Sequence, residues 1–163
     1  MANNHQQPQI SPPNSIDQYI PTMSSDGWFQ YPVKAQPHHT DYGGVVWHGA
    51  YLTWMESARV ECLRSLGIEF ADLVAIGCDL PVFDLSVRYH RPVKMGMSVV
   101  VKTRMQNISG IRLVWDYQIT SLDGEELYLT GLVTLVPVDR EKGKIMRQLP
   151  ANLKNSLSKF TDT

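Results

Sequence analysis

The strongest periodic signal in the chain is a helical one: Tyr51, Trp54, Met55, Ala58, Cys62 and Leu66 recur on one side, with Thr53, Ser57, Glu61 and Arg64 opposite. This predicts one long helix of about five turns at 3.6 residues per turn, starting near Gly49 and stopped by Gly67. Elsewhere the pattern is that of strands. Residues 28–36 (WFQYPVKAQ) mix aromatic and β-branched side chains and end at Pro37, as a first strand would. Four further strand-like segments, 79–93, 98–108, 111–122 and 125–138, follow the helix. Turn signals at Lys94-Met95-Gly96, Ser109-Gly110 and Asp123-Gly124 separate them, and the last two are short enough for hairpins. Leu153, Leu157 and Phe160 form a weak stripe that predicts a short final helix over 150–160. Strand, long helix, then four strands in a meander describes an α+β domain. Its helix must cover the apolar face of a curved, antiparallel, five-stranded sheet.

Composition changes this picture at one end. Residues 1–27 are rich in Gln, Asn, Pro and Ser and carry no periodicity, so they bury too little apolar surface to offset their ordering entropy. The expected organisation is a disordered tail over 1–27 and a single domain over 28–163. The tail holds two acids and no bases, which leaves the domain with 15 basic against 14 acidic residues. That balance, with aromatic residues scattered rather than interleaved with basic runs, disfavours nucleic acid as a partner. The two cysteines, Cys62 and Cys78, match neither a zinc ribbon nor a disulfide framework and point to the reducing cytoplasm. No secretory signal and no membrane-spanning stretch is expected.

The chemistry concentrates in residues 37–59, PHHTDYGGVVWHGAYLTWMESAR, where three histidines and an aspartate precede the long helix. Asp41 can act as a general base or a nucleophile, or it can simply form an Asx turn into Gly43-Gly44. A helix starting near His48 or Gly49 presents unpaired amides with a partial positive charge, suited to a carbonyl oxygen that gains charge in a transition state. Val46, Trp47, His48 and Gly49 are the candidate donors. The His48 side chain could orient a substrate or protonate a leaving group, or merely pack at the helix start. Tyr51 and Trp54 read first as core, and Glu56 falls at the edge of the apolar stripe. His39 and Asp41, at i and i+2 on an extended segment, could join His48 as a metal-binding set. No P-loop, dinucleotide fingerprint or nucleophile elbow is present.

Residues 40–59, with the order of elements, resemble the hotdog-fold acyl-CoA thioesterases of the 4-hydroxybenzoyl-CoA thioesterase family, YbgC-like branch. Asp41, Gly44, Val45, Val46, His48, Tyr51 and Glu56 stand at the family's motif positions, and VRYHRPVKMG (87–96) is similar to its later strand and turn. The resemblance implies a hotdog fold, hydrolysis of an acyl- or aroyl-CoA, and neither metal nor cofactor. It also implies a homo-oligomer, dimer or tetramer, with the site between chains. It assigns Asp41 as base or nucleophile, with a backbone N–H at His48 on the thioester oxygen. His39, Tyr42, Gly44, Val45, Tyr51 and Glu56 are implied around the substrate. A CoA substrate would also bring phosphates for basic residues to meet, of which Arg88, Arg91 and Lys94 are the candidates beside Lys102 and Arg104. Two positions depart from the family pattern: His39 stands where its first acid is expected, and Met97 replaces an acid after Gly96. The change at His39 leaves open a module that binds an acyl carrier without cleaving it.

Overall fold

The computed structural model describes residue 16 and residues 19–161. Most of the proposed tail, residues 1–15 and 17–18, lies outside them. In chain order the elements are β1 (Thr22–Met23), β2 (Phe29–Lys34), α1 (Ala50–Ser65), α2 (Phe70–Ala75), β3 (Cys78–Asp79), β4 (Val82–Tyr89), β5 (Ser98–Met105), β6 (Leu113–Ser121), β7 (Leu127–Leu135), β8 (Val138–Asp139), β9 (Lys144–Ile145) and α3 (Ala151–Thr161).

The main sheet has six strands in the order β1-β2-β5-β6-β7-β4, each pair antiparallel. Two expectations are corrected here. The sheet is not five-stranded, because Thr22 and Met23 pair with Gln30 and Phe29 across a turn whose Gly27 has φ 84°. Tyr19, just before this strand, donates from its hydroxyl to the Leu122 carbonyl at 2.6 Å. Nor do the last four long strands form a meander: β4 pairs with β7 at the far edge, and β5 pairs with β2. The physical reason is the connection 90–97, which contains Pro92 and does not turn back on β4. It lies against the loop before α1, with Val46 N–H donating to Val93 O at 2.7 Å and Met95 N–H to Gly44 O at 3.2 Å. A second sheet, β3-β8-β9, and the short α2 have no counterpart in the sequence pattern, since elements of two to six residues show no usable period.

The helix ends as its sequence dictates. Gly67 adopts φ 81°, its N–H donates to Arg64 O at 2.9 Å, and Ile68 N–H donates to Leu63 O at 2.9 Å. This is the Schellman arrangement that satisfies the last carbonyls. Tyr51, Trp54, Met55, Ala58, Cys62 and Leu63 are buried against the inner face of the sheet, which supplies Val99, Val101, Trp115, Ile119, Leu129 and Val133. Arg59 lies buried among them, donating from a guanidinium nitrogen to the Tyr117 hydroxyl at 2.8 Å. Burial pushes the Cys62 thiol up to about 12, so it stays protonated and inert.

Close approach of α1 to the sheet depends on Gly131. A Cβ there would stand 3.1 Å from Val87 Cγ1 and 3.2 Å from both Met55 Cε and the Ser86 carbonyl. Overpacking costs about 1–3 kcal/mol, partly offset by the reduced chain entropy of alanine. Gly131→Ala is therefore expected to destabilise by roughly 1 kcal/mol, which lowers Tm by about 2–4 °C in a chain of this size. A calorimetric melt checks this.

Candidate active site

After β2 the chain makes a single 3-10 turn, Pro37–His39, opened by proline at its first position. Gln36 N–H donates to His39 Nδ1 at 2.9 Å, and the imidazole meets Trp54 edge-on with centroids 5.2 Å apart. Partial burial, with His38 beside it, lowers the His39 pKa below its ordinary value. A tight hairpin follows. Thr40 bridges to Val46, Asp41 N–H donates to Val45 O at 2.9 Å, and Gly44, at φ 81°, donates to Asp41 O at 3.1 Å. Asp41 Oδ1 accepts the Gly43 N–H at 2.8 Å, so the Asx turn expected of this residue does form. The carboxylate is exposed, and its other oxygen has no partner among the described residues.

The same hairpin delivers the chain to the helix. Val46 N–H is spent on Val93 O and Trp47 N–H on His39 O at 2.8 Å. This corrects the expected set of four donors: both amides hold the loop and cannot serve a substrate. Ala50 N–H returns to Trp47 O at 2.9 Å and Leu52 N–H to Gly49 O at 3.2 Å. The His48 and Gly49 amides have no acceptor among the described residues, which leaves two adjacent donors at the positive end of a 16-residue helix. Gly49 is required by its neighbour as well, because a Cβ there would meet the Trp47 ring at 2.1 Å.

A cavity of about 260 Å³ opens at this helix entrance. Val46, His48 and Tyr51 form one wall, and the end of β4 with its continuation, Tyr89, His90, Arg91 and Pro92, forms the other. The Tyr51 hydroxyl accepts the Val93 N–H at 3.1 Å, and burial raises its pKa, so it remains a neutral phenol. The Tyr89 hydroxyl donates to the His48 carbonyl at 2.7 Å.

Of the residues expected in the site, His48, Tyr51, Val46 and Arg91 line this cavity. Asp41, Gly44 and Val45 lie on the adjoining hairpin and do not line it within one chain. Tyr42 is fully exposed, and Glu56 is exposed on α1. Arg88 does not join Arg91 and Lys94: with Trp28, Arg104 and Asp116 it lines a separate depression of about 480 Å³. Arg104 there pairs with Asp116 at 3.2 Å and stacks over Trp28. Arg91 is engaged by Glu126. The metal-binding set is also corrected, since His39, Asp41 and His48 are not grouped and no such cluster of three occurs among the described residues. Sequence reasoning missed Tyr89 and His90, which it placed in an ordinary strand; their adjacency to the helix entrance follows only from the path of the chain through 90–97.

An antiparallel sheet against one long helix, with unpaired amides at the helix entrance beside a carboxylate hairpin, defines a hotdog enzyme of the thioester-hydrolysing class. Residues 43–128 match the Thioesterase superfamily, and the chain belongs to that family. It is 56% identical over 136 residues, 83% of this chain and 82% of the other, to the Synechocystis protein sll0410, whose name provisionally assigns it to the esterases. It is 30% identical over 125 residues, 77% of this chain and 92% of the relative, to the acyl-CoA thioester hydrolase YbgC of Escherichia coli. Among solved structures, the DHNA-CoA thioesterase of Staphylococcus aureus superposes with a TM-score of 0.75 at 32% identity, covering 81% of this chain and 89% of that one.

Proposed function

We propose that this thioesterase hydrolyses an acyl- or aroyl-CoA thioester to the free acid and CoA at the entrance of α1. The observation that carries the reading is the pair of unpaired amides, His48 N–H and Gly49 N–H, at the end of the hairpin that holds Asp41. In this reading the thioester oxygen takes the two amides, which stabilise the charge it gains as the carbonyl carbon becomes tetrahedral. Asp41 either removes a proton from the attacking water or attacks the carbon itself; collapse then expels the thiolate, which His48 can protonate, and on the second route water cleaves the acyl–Asp41 anhydride to the free acid and the restored carboxylate. Arg91, which is paired with Glu126, and Lys94 both lie beside this entrance, and in this reading they meet the phosphates of CoA.

The unit that works is proposed to be a homodimer, or a tetramer built from it. The outer edge of β4 has no partner strand among the described residues, yet Val82, Phe83, Leu85 and Tyr89 on it are 41–53% exposed. A long apolar edge strand is a template for pairing with a second copy. No described helix is long and apolar enough to cross a membrane. Two buried thiols, Cys62 and Cys78, support a reducing, cytoplasmic setting.

A panel of aliphatic and aromatic acyl-CoA thioesters, read by release of free thiol, tests the reading. Turnover of at least one member is expected. Micromolar binding without turnover would favour a module that holds acyl carriers without cleaving them.

A further inference from the structure

The geometry points to Tyr89 as the positioning residue of the Gly49 amide, an inference that rests on the reaction proposed above. The His48 carbonyl lies outside the hydrogen-bond ladder of α1, because Leu52 N–H, which could have reached it, donates to Gly49 O at 3.2 Å. Its partner is instead the Tyr89 hydroxyl at 2.7 Å, contributed by the last residue of β4, 41 positions later in the chain. A peptide unit is planar and trans, so its C=O and N–H point to opposite sides and turn together. Holding the His48 oxygen therefore fixes the direction of the Gly49 N–H, one of the two unpaired donors. Accepting a bond at the oxygen also polarises that unit and makes its N–H a stronger donor.

The rest of the surroundings fits a clamp. Gly49 has no side chain of its own to resist rotation of this peptide and His48 is exposed, while the Trp47 ring that lies on Gly49 is itself 53% exposed. The Tyr89 ring is itself held by an edge contact with buried Tyr51, centroids 5.3 Å apart at 68°. Burial raises the Tyr89 pKa, which keeps the hydroxyl a donor across the neutral range. In this assignment Tyr89, although its ring lines the cavity, acts through the His48–Gly49 peptide that its hydroxyl holds.

Tyr89→Phe tests this, since it keeps the ring on Tyr51 and removes only the hydroxyl. A fall in kcat of about tenfold is expected, the factor that goes with one hydrogen bond of ordinary net strength, with KM within about twofold. The Gly49 amide resonance should shift and its hydrogen exchange should quicken, a readout that needs no substrate. Site-specific 3-fluorotyrosine at position 89 retains the bond and should hold kcat within about twofold of the native enzyme. Unchanged kcat together with an unmoved Gly49 amide would overturn the assignment, as would a rise in KM at constant kcat. If the native protein cleaves no thioester, the reaction proposal fails by itself, and the amide measurement still decides whether Tyr89 orients Gly49.

Discussion

Asp41→Asn is expected to lower thioester hydrolysis by about 10²- to 10⁴-fold, the usual contribution of a positioned general base, and by more if the carboxylate is the nucleophile. The fold should be untouched. Asparagine keeps an Oδ1 acceptor for the Gly43 N–H, so the turn that shapes the hairpin persists, along with the backbone bonds from Asp41 to Val45 and from Gly44 to Asp41. The carboxylate is exposed, so replacing it leaves no buried group unpaired. What disappears is the negative charge and the basicity. Initial rates by thiol release, beside a thermal melt, separate the two effects: native-like Tm with a collapsed rate supports the role. A rate within tenfold of native would remove Asp41 from the mechanism and leave it as a turn former.

The second large effect concerns the edge strand. Leu85→Lys places a charge on β4 where the single chain leaves the side chain 41% exposed, so a lone protomer can keep the ammonium in water at little cost. Pairing with a second copy would bury that charge without a partner, which costs about 3–5 kcal/mol and weakens association by about 10²-fold or more. Light scattering at micromolar concentration should then read the 18.5 kDa chain, where the native protein is expected to read at least twice that mass. Activity should fall with the assembly. A native protein that is already monomeric, or a variant that stays paired, would show that β4 is not the joint.

The parts of this architecture written in local periodicity were readable without coordinates. The stripe from Tyr51 to Leu66 and the stop at Gly67 required only neighbours three and four residues away, and α1 spans Ala50–Ser65. The hairpins β5–β6 and β6–β7 were equally local. Strand order was not, because alternation tells which face of a strand is apolar but not which strand lies beside it. Residues 82–89 thus read as an ordinary member of a meander although they form an exposed edge. The same limit applied at the site. Which amides remain free depends on acceptors at Val93 and His39, the first of them nearly fifty residues away, so Val46 and Trp47 looked as available as His48 and Gly49. Asp41 was readable only as an ambiguity, since the residue type that forms an Asx turn is also the one that can act as a base. His39 looked like a ligand by spacing, yet its Nδ1 is occupied by Gln36 and its ring by Trp54.

The Trp47 ring occupies the space that any side chain at position 49 would need, and it is 53% exposed, whereas Trp54 and Trp115 are buried. The helix entrance therefore carries its own optical reporter. Under the proposed reaction a thioester at the His48 and Gly49 amides lies within two residues of this indole, and a change in its fluorescence is the expected sign of occupancy before any bond is broken.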